Sequence, residues 1–103
     1  MDEKNPAKDG GFIPLHIAAK NGHLDICKLI IGYMGNKNPA NNVGDTPLHL
    51  AAENGQFEIC KLFIDNICHK NPENNEGYTP LYMAFQNHHF EICKLIIDNS
   101  DEQ

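Results

Sequence analysis

The sequence predicts an all-α fold: a short solenoid of three helix-turn-helix units stacked side by side and joined by β-turn or hairpin loops. The first observation behind this is repetition. Within 103 residues, Lys4-Asn5-Pro6, Lys37-Asn38-Pro39 and Lys70-Asn71-Pro72 recur at a gapless interval of 33. Gly11, Gly44 and Gly77 follow the same step, as do Pro14, Pro47 and Pro80, then Leu15, Leu48 and Leu81. A period in this range marks stacked-repeat architectures. The second observation is that the later helix of each unit is apolar on several sides, whereas an ordinary surface helix buries one face. The units 4–36, 37–69 and 70–102 fill a single domain over 1–103, and the length leaves no room for a second independent core.

The middle unit justifies each element. Thr46-Pro47 opens its first helix: a threonine N-cap accepts from the amide of His49, and proline at the first helical position has no donor to lose. The helix runs through Leu48, Leu50, Ala51 and Ala52 and stops at Asn54-Gly55, where glycine tolerates the left-handed conformation. The second helix is expected from Phe57 to about Asp65. It is apolar at Phe57, Ile59, Cys60, Leu62, Phe63 and Ile64, with only Glu58, Lys61 and Asp65 forming a polar stripe. A lone unit cannot cover that apolar surface, but stacked copies can, and about three are needed. Ile67 to Asn75, holding Pro, Asn and Glu, reads as the loop to the next unit.

The run Gly44-Asp45-Thr46-Pro47-Leu48-His49-Leu50-Ala51-Ala52-Glu53-Asn54-Gly55 resembles the signature of the ankyrin repeat in wording and in period, and the likeness extends over residues 4–102. The resemblance implies L-shaped units whose loops project as β-hairpin fingers, with first helices lining a concave face that binds other proteins. It also implies that His16 and His49 hydrogen-bond neighbouring loop backbone. Asn5, Asn38 and Asn71 match a loop asparagine that is hydroxylated in some family members, but Lys precedes and Pro follows each one here, so loop geometry is the expected role.

Several departures carry expectations of their own. Ile13 stands where Thr46 and Thr79 stand, so the first unit loses a hydroxyl cap, a loss of about 1 kcal/mol. The third unit has Tyr82 for the histidine, Phe85 for the second alanine and His88 for the turn glycine. His88 is therefore expected at positive φ, at a cost of about 1 kcal/mol. Asn66 and Asn99 are expected to close the second helices in the left-handed conformation. Neither terminal unit shows a polar capping face, which predicts an exposed apolar flank and either self-association or membership of a longer array.

Composition narrows the function. Eight Lys and Arg against 14 Asp and Glu give a formal charge of −6, without a basic cluster. That sign excludes nucleic-acid and anionic-membrane binding and favours a basic or neutral protein partner. The N-terminus lacks the basic-then-apolar order of a secretory signal, and no stretch approaches the roughly 20 apolar residues of a span, so an intracellular, cytoplasmic protein is expected.

Cys27, Cys60 and Cys93 occupy one place in each second helix and read as core residues without a Cys-x-x-Cys pair for zinc. Cys68 is the one loop thiol, and the adjacent His88-His89 do not point the same way on a helix. The only hydroxyls of the serine and threonine type are Thr46, Thr79 and Ser100, two helix caps and one terminal residue. No nucleophile with a positioned base emerges, so neither catalysis, cofactor nor metal is expected.

Because the three units can be compared within one chain, positions that vary stand out. They are Gly10/Val43/Glu76, Phe12/Asp45/Tyr78 and Lys20/Glu53/Gln86, all on loops or first helices. Phe12, Lys20, Val43, Asp45, Glu53, Glu76, Tyr78 and Gln86 are accordingly the candidate partner-binding residues, with Phe12 and Tyr78 of the aromatic type that anchors interfaces. The plain alternative is that exposed positions vary because nothing constrains them.

Overall fold

A computed structural model describes residues 10–100, and the first Lys-Asn-Pro copy, with Asn5, lies outside them. Six helices follow in pairs: α1 (Pro14–Asn21) and α2 (Leu24–Ile31), α3 (Pro47–Glu53) and α4 (Phe57–Asn66), α5 (Pro80–Gln86) and α6 (Phe90–Asn99). The first helices stack as one layer, α1 on α3 on α5, and the second helices as another, α2 on α4 on α6.

Burial along equivalent positions shows why the units depend on one another. Ile26 is 48% exposed, while its counterparts Ile59 and Ile92 are each 2% exposed. That side chain faces the preceding unit, which the first unit lacks among the described residues. Ile31 and Ile64 are 5% and 2% exposed, but Ile97 is 58% exposed, so this position faces the following unit. Each stacked neighbour thus buries whole aliphatic side chains, worth about 2 kcal/mol apiece. Phe63, Leu48 and Ile59 sit at the centre of the cluster.

The helix ends follow from local chemistry. Thr46 Oγ1 accepts from the His49 amide (3.2 Å) and Thr79 Oγ1 from the Tyr82 amide (3.1 Å), whereas Ile13 offers no side-chain cap. Gly22 and Gly55 end the first helices at φ 83° and 74°, and His88 takes their place at φ 65°. Asn66 and Asn99 differ from expectation. Among the described residues only His88 is a non-glycine at positive φ. The two asparagines remain the last helical residues, and their Nδ2 groups donate to the carbonyls of Leu62 (2.7 Å) and Leu95 (2.8 Å). A side-chain amide that reaches a terminal carbonyl removes the need for a left-handed backbone cap.

The Lys-Asn-Pro motif is a clasp between units. The Lys37 ammonium donates to the carbonyls of Ile31 (2.9 Å) and Met34 (2.7 Å), and Lys70 to that of Ile67 (2.7 Å), which places a cation at the end of the preceding second helix. Asn38 and Asn71 Oδ1 then accept from the amides of Leu48 and Leu81, both at 3.3 Å, at the start of the next first helix. Within the described copies the asparagine therefore shapes the loop.

Candidate functional site

The loop tips form tight fingers. In the second unit Asn41 Oδ1 accepts from the amides of Val43 (3.0 Å) and Asp45 (2.9 Å), and the Asn41 amide donates to the Asp45 carbonyl (2.8 Å). Asn74 does the same for Glu76 and Tyr78, both at 2.9 Å, with its own amide on the Tyr78 carbonyl (2.8 Å). The resemblance implied β-hairpins. Among the described residues the fingers are turns without strands, because the asparagine carboxamide satisfies amides that a ladder partner would otherwise take.

Successive fingers are joined by backbone bonds one repeat apart: the Asn42 amide donates to the Gly10 carbonyl (2.8 Å) and the Asn75 amide to the Val43 carbonyl (2.9 Å). Gly44 makes the second of these possible. It sits at φ +85°, and a Cβ there would lie 2.6 Å from the Asn75 nitrogen.

Two buried histidines fix the fingers to the first helices. His16 Nε2 lies 2.9 Å from the Pro39 carbonyl and His49 Nε2 2.8 Å from the Tyr78 carbonyl. A carbonyl only accepts, so Nε2 carries the proton and Nδ1 is the acceptor. At Nδ1, His16 takes the Ile13 amide (3.0 Å), while His49 takes both the amide (3.1 Å) and the hydroxyl (2.9 Å) of Thr46. Burial holds the pKa of both rings below its ordinary 6.5, outweighing the opposing pull of the carbonyls and Asp45.

The third unit breaks this scheme. Tyr82 replaces the inward histidine and stacks on Tyr78, ring centroids 4.6 Å apart and planes 24° from parallel. Both residues remain 38% exposed.

Between the second and third fingers and the helices α3 and α5 lies a groove of about 710 Å³. Six of the eight candidate positions line it: Val43, Asp45, Glu53, Glu76, Tyr78 and Gln86. Phe12 and Lys20 do not. Phe12 packs edge-on against His16 (5.6 Å), and Lys20 is exposed near the end of α1. Tyr82, Met83, Asn74, Asn75 and Asn87 also line the groove and were not among the partner-binding candidates read from sequence. Tyr82 carried a usable signal, since it departs from the histidine of the other units. Met83 carried none, because its counterparts Ile17 and Leu50 are equally apolar.

Asp45 has a second task, accepting from Asn74 Nδ2 (2.8 Å). One unit earlier that place belongs to Phe12, and the buried Nδ2 of Asn41 has no partner.

A further hollow of about 330 Å³ lies by Lys37, Asn38, Cys68 and His69, where the Lys37 ammonium is already engaged by carbonyls. Cys27, Cys60 and Cys93 are free and buried, and Cys68 is free and exposed. Burial pushes the Cys27 and Cys60 thiols up to about 11 and about 12, and raises that of Cys93 too, which keeps them protonated and poor nucleophiles. Among the described residues no three His, Cys, Asp or Glu side chains are placed to share a metal ion, and no helix is long and apolar enough to cross a membrane.

Stacked helix pairs, finger turns and histidine ties define an all-α repeat protein. The family model of ankyrin repeats, three copies, matches residues 15–103, and the chain belongs to that family. Ankyrin repeats are generally protein–protein interaction modules and typically non-catalytic. No curated protein matches the chain significantly.

Proposed function

We propose that this chain is a non-catalytic scaffold, cytoplasmic in setting, that binds a basic or neutral protein along the groove between its second and third fingers and α3 and α5. One observation carries the reading: six residues, from three repeat positions that vary between the units, converge on a single groove. Asp45, Glu53 and Glu76 give that groove its sign, and Phe12 and Lys20 extend the contact along the first unit.

The full chain, immobilised, is expected to capture a partner that the Tyr78→Ala/Gln86→Ala double variant no longer retains. A partner held equally by both forms would place the contact elsewhere.

The second reading is a self-associating or structural segment of a longer array. It is favoured by the apolar side chains left exposed at both ends of the stack, Ile26 and Leu29 on one side and Phe85 and Ile97 on the other. Sizing chromatography separates the readings: a dimer that grows with concentration, is insensitive to Tyr78→Ala and comes with no captured partner supports the second.

A further inference from the structure

Resting on the protein-binding reading above, we propose that the groove selects a cationic side chain of its partner, an arginine foremost. The guanidinium is seated against the Tyr78–Tyr82 pair, with Glu53, Asp45 and Glu76 as its counter-charges.

The third unit departs from the common pattern at two positions that meet. Tyr78 occupies the place of Phe12 and Asp45, and Tyr82 that of His16 and His49. In the earlier units the histidine ring is fully buried and engaged by backbone. Here the two substitutions together turn an internal tie into a stacked, half-open aromatic surface on the groove wall. A tyrosine face carries negative π density, and the planar guanidinium stacks on it with little loss of hydration.

Charge points the same way. Among the described residues no Lys, Arg or His lines the groove, and Asp45, Glu53 and Glu76 do. The ion pairs found among the described residues, Lys61–Asp65 and Lys94–Asp98, are i,i+4 pairs on the second helices. Among the described residues the Glu53 and Glu76 carboxylates have no hydrogen bond or ion pair, and that of Asp45 has only the Asn74 amide. His49 beside Asp45 supplies no positive charge, because Nδ1 serves as an acceptor. The groove is therefore an uncompensated negative field with an aromatic wall. Met83 offers an apolar, polarisable contact for the methylene stem of a long side chain. At about 710 Å³ the volume exceeds one side chain and admits a short extended segment around it.

The test uses the full chain and a fluorescein-labelled Gly-Arg-Gly-Arg-Gly-Arg-Gly peptide, read by fluorescence anisotropy at low salt. Replacing arginine by citrulline keeps size and removes charge, and it is expected to weaken binding at least tenfold. Glu53→Gln is expected to weaken it about threefold and Tyr78→Ala/Tyr82→Ala about tenfold, while Tyr78→Phe/Tyr82→Phe binds as the parent does.

These side-chain changes leave in place the Tyr78 carbonyl that His49 uses and the Tyr82 amide that Thr79 caps, and unchanged circular dichroism verifies the fold. Glu58→Gln, an exposed carboxylate on α4 outside the groove, is expected to change nothing. Equal binding of the citrulline peptide overturns the proposal, and so does a loss with Glu58→Gln matching that of Glu53→Gln. If a captured partner still depends on Tyr78 and Gln86 while arginine and citrulline bind alike, only the cation selectivity falls and the scaffold reading stands.

Discussion

The junction between the first and second units and the junction between the second and third share one template, yet they differ at a few atoms. Both carry a finger-to-finger amide bond, a buried histidine tie and a side chain reaching back from the second helix's N-cap. Gln56 Nε2 donates to the Lys20 carbonyl (3.2 Å), and His89 Nε2 lies 3.1 Å from the Glu53 carbonyl. The later junction adds the Thr46 hydroxyl on His49 and the Asp45 carboxylate on Asn74. The earlier one has Ile13 and Phe12 at those places, and a stranded Asn41 Nδ2. The difference teaches that stacking fixes the architecture, while the polar ties decide how firmly each interface is held. The firmer junction is the one that frames the groove.

The sharpest break of that comparison is Gly44→Ala. A left-handed alanine costs about 1–2 kcal/mol, and a Cβ placed 2.6 Å from the Asn75 nitrogen forces two backbones apart. The expected loss is about 4 kcal/mol in urea unfolding. Gly77 has the same φ but open space around it, so Gly77→Ala is expected to lose only about 1 kcal/mol. Equal losses would show that the finger ladder contributes nothing.

Next come the histidines. His49→Ala removes three polar contacts and a fully buried ring, for about 3 kcal/mol, and His16→Ala removes two, for about 2 kcal/mol. The same bonds set a pH response. The unfolded imidazoles take up a proton near 6.5 and the folded ones only below that, so acid favours the unfolded chain. Stability is expected to be full above pH about 6.5 and to decline as pH falls toward the lowered folded-state values. A urea midpoint that holds level from pH 7 to 5 would contradict the neutral-ring assignment. The His16→Ala/His49→Ala double variant should lose that part of the pH dependence.

Phe12→Asp grafts the later junction's acceptor onto the earlier one. The carboxylate is placed to receive Asn41 Nδ2, as Asp45 receives Asn74. Relief of a buried unsatisfied donor outweighs the loss of the edge contact with His16, for a net gain of about 1 kcal/mol. Thermal denaturation of the two proteins side by side measures it, and a lowered Tm would mean that the Phe12 ring matters more than the orphaned amide.

These contrasts also show what the residues announced. Period, helix order, the threonine caps and the missing cap at Ile13 were legible because each depends on bonds local to one unit or on the repeat itself, whereas the inward histidines were expected only from the family resemblance. The left-handed ends assigned to Asn66 and Asn99 failed because a helical asparagine can satisfy an i−4 carbonyl with its own side chain, which spacing does not reveal. The lysine clasp was invisible for a similar reason: the motif recurs in the sequence, but its target carbonyls lie in the preceding unit. Internal variation found most of the groove wall. It missed Tyr82 because that residue was read as a lost histidine, and the gain appears only when Tyr78 is seen beside it.

The smallest expected effect concerns His88, where the third unit parts from the other two. The turn position is occupied by Gly22 and Gly55 in the earlier units, and a Cβ there would meet Gln56 Oε1 at 2.8 Å and His89 Cε1 at 2.7 Å. No following unit crowds His88 among the described residues, so only its backbone conformation, φ 65°, is costly. Its ring contributes one edge contact to Phe90, centroids 5.8 Å apart, on an exposed surface. His88→Gly therefore exchanges a weak exposed contact for relief of left-handed strain and is expected to raise stability by about 1 kcal/mol. Urea denaturation decides it, since an unchanged or lower midpoint would mean that the His88–Phe90 contact offsets the strain and that the third unit depends on its aromatic end.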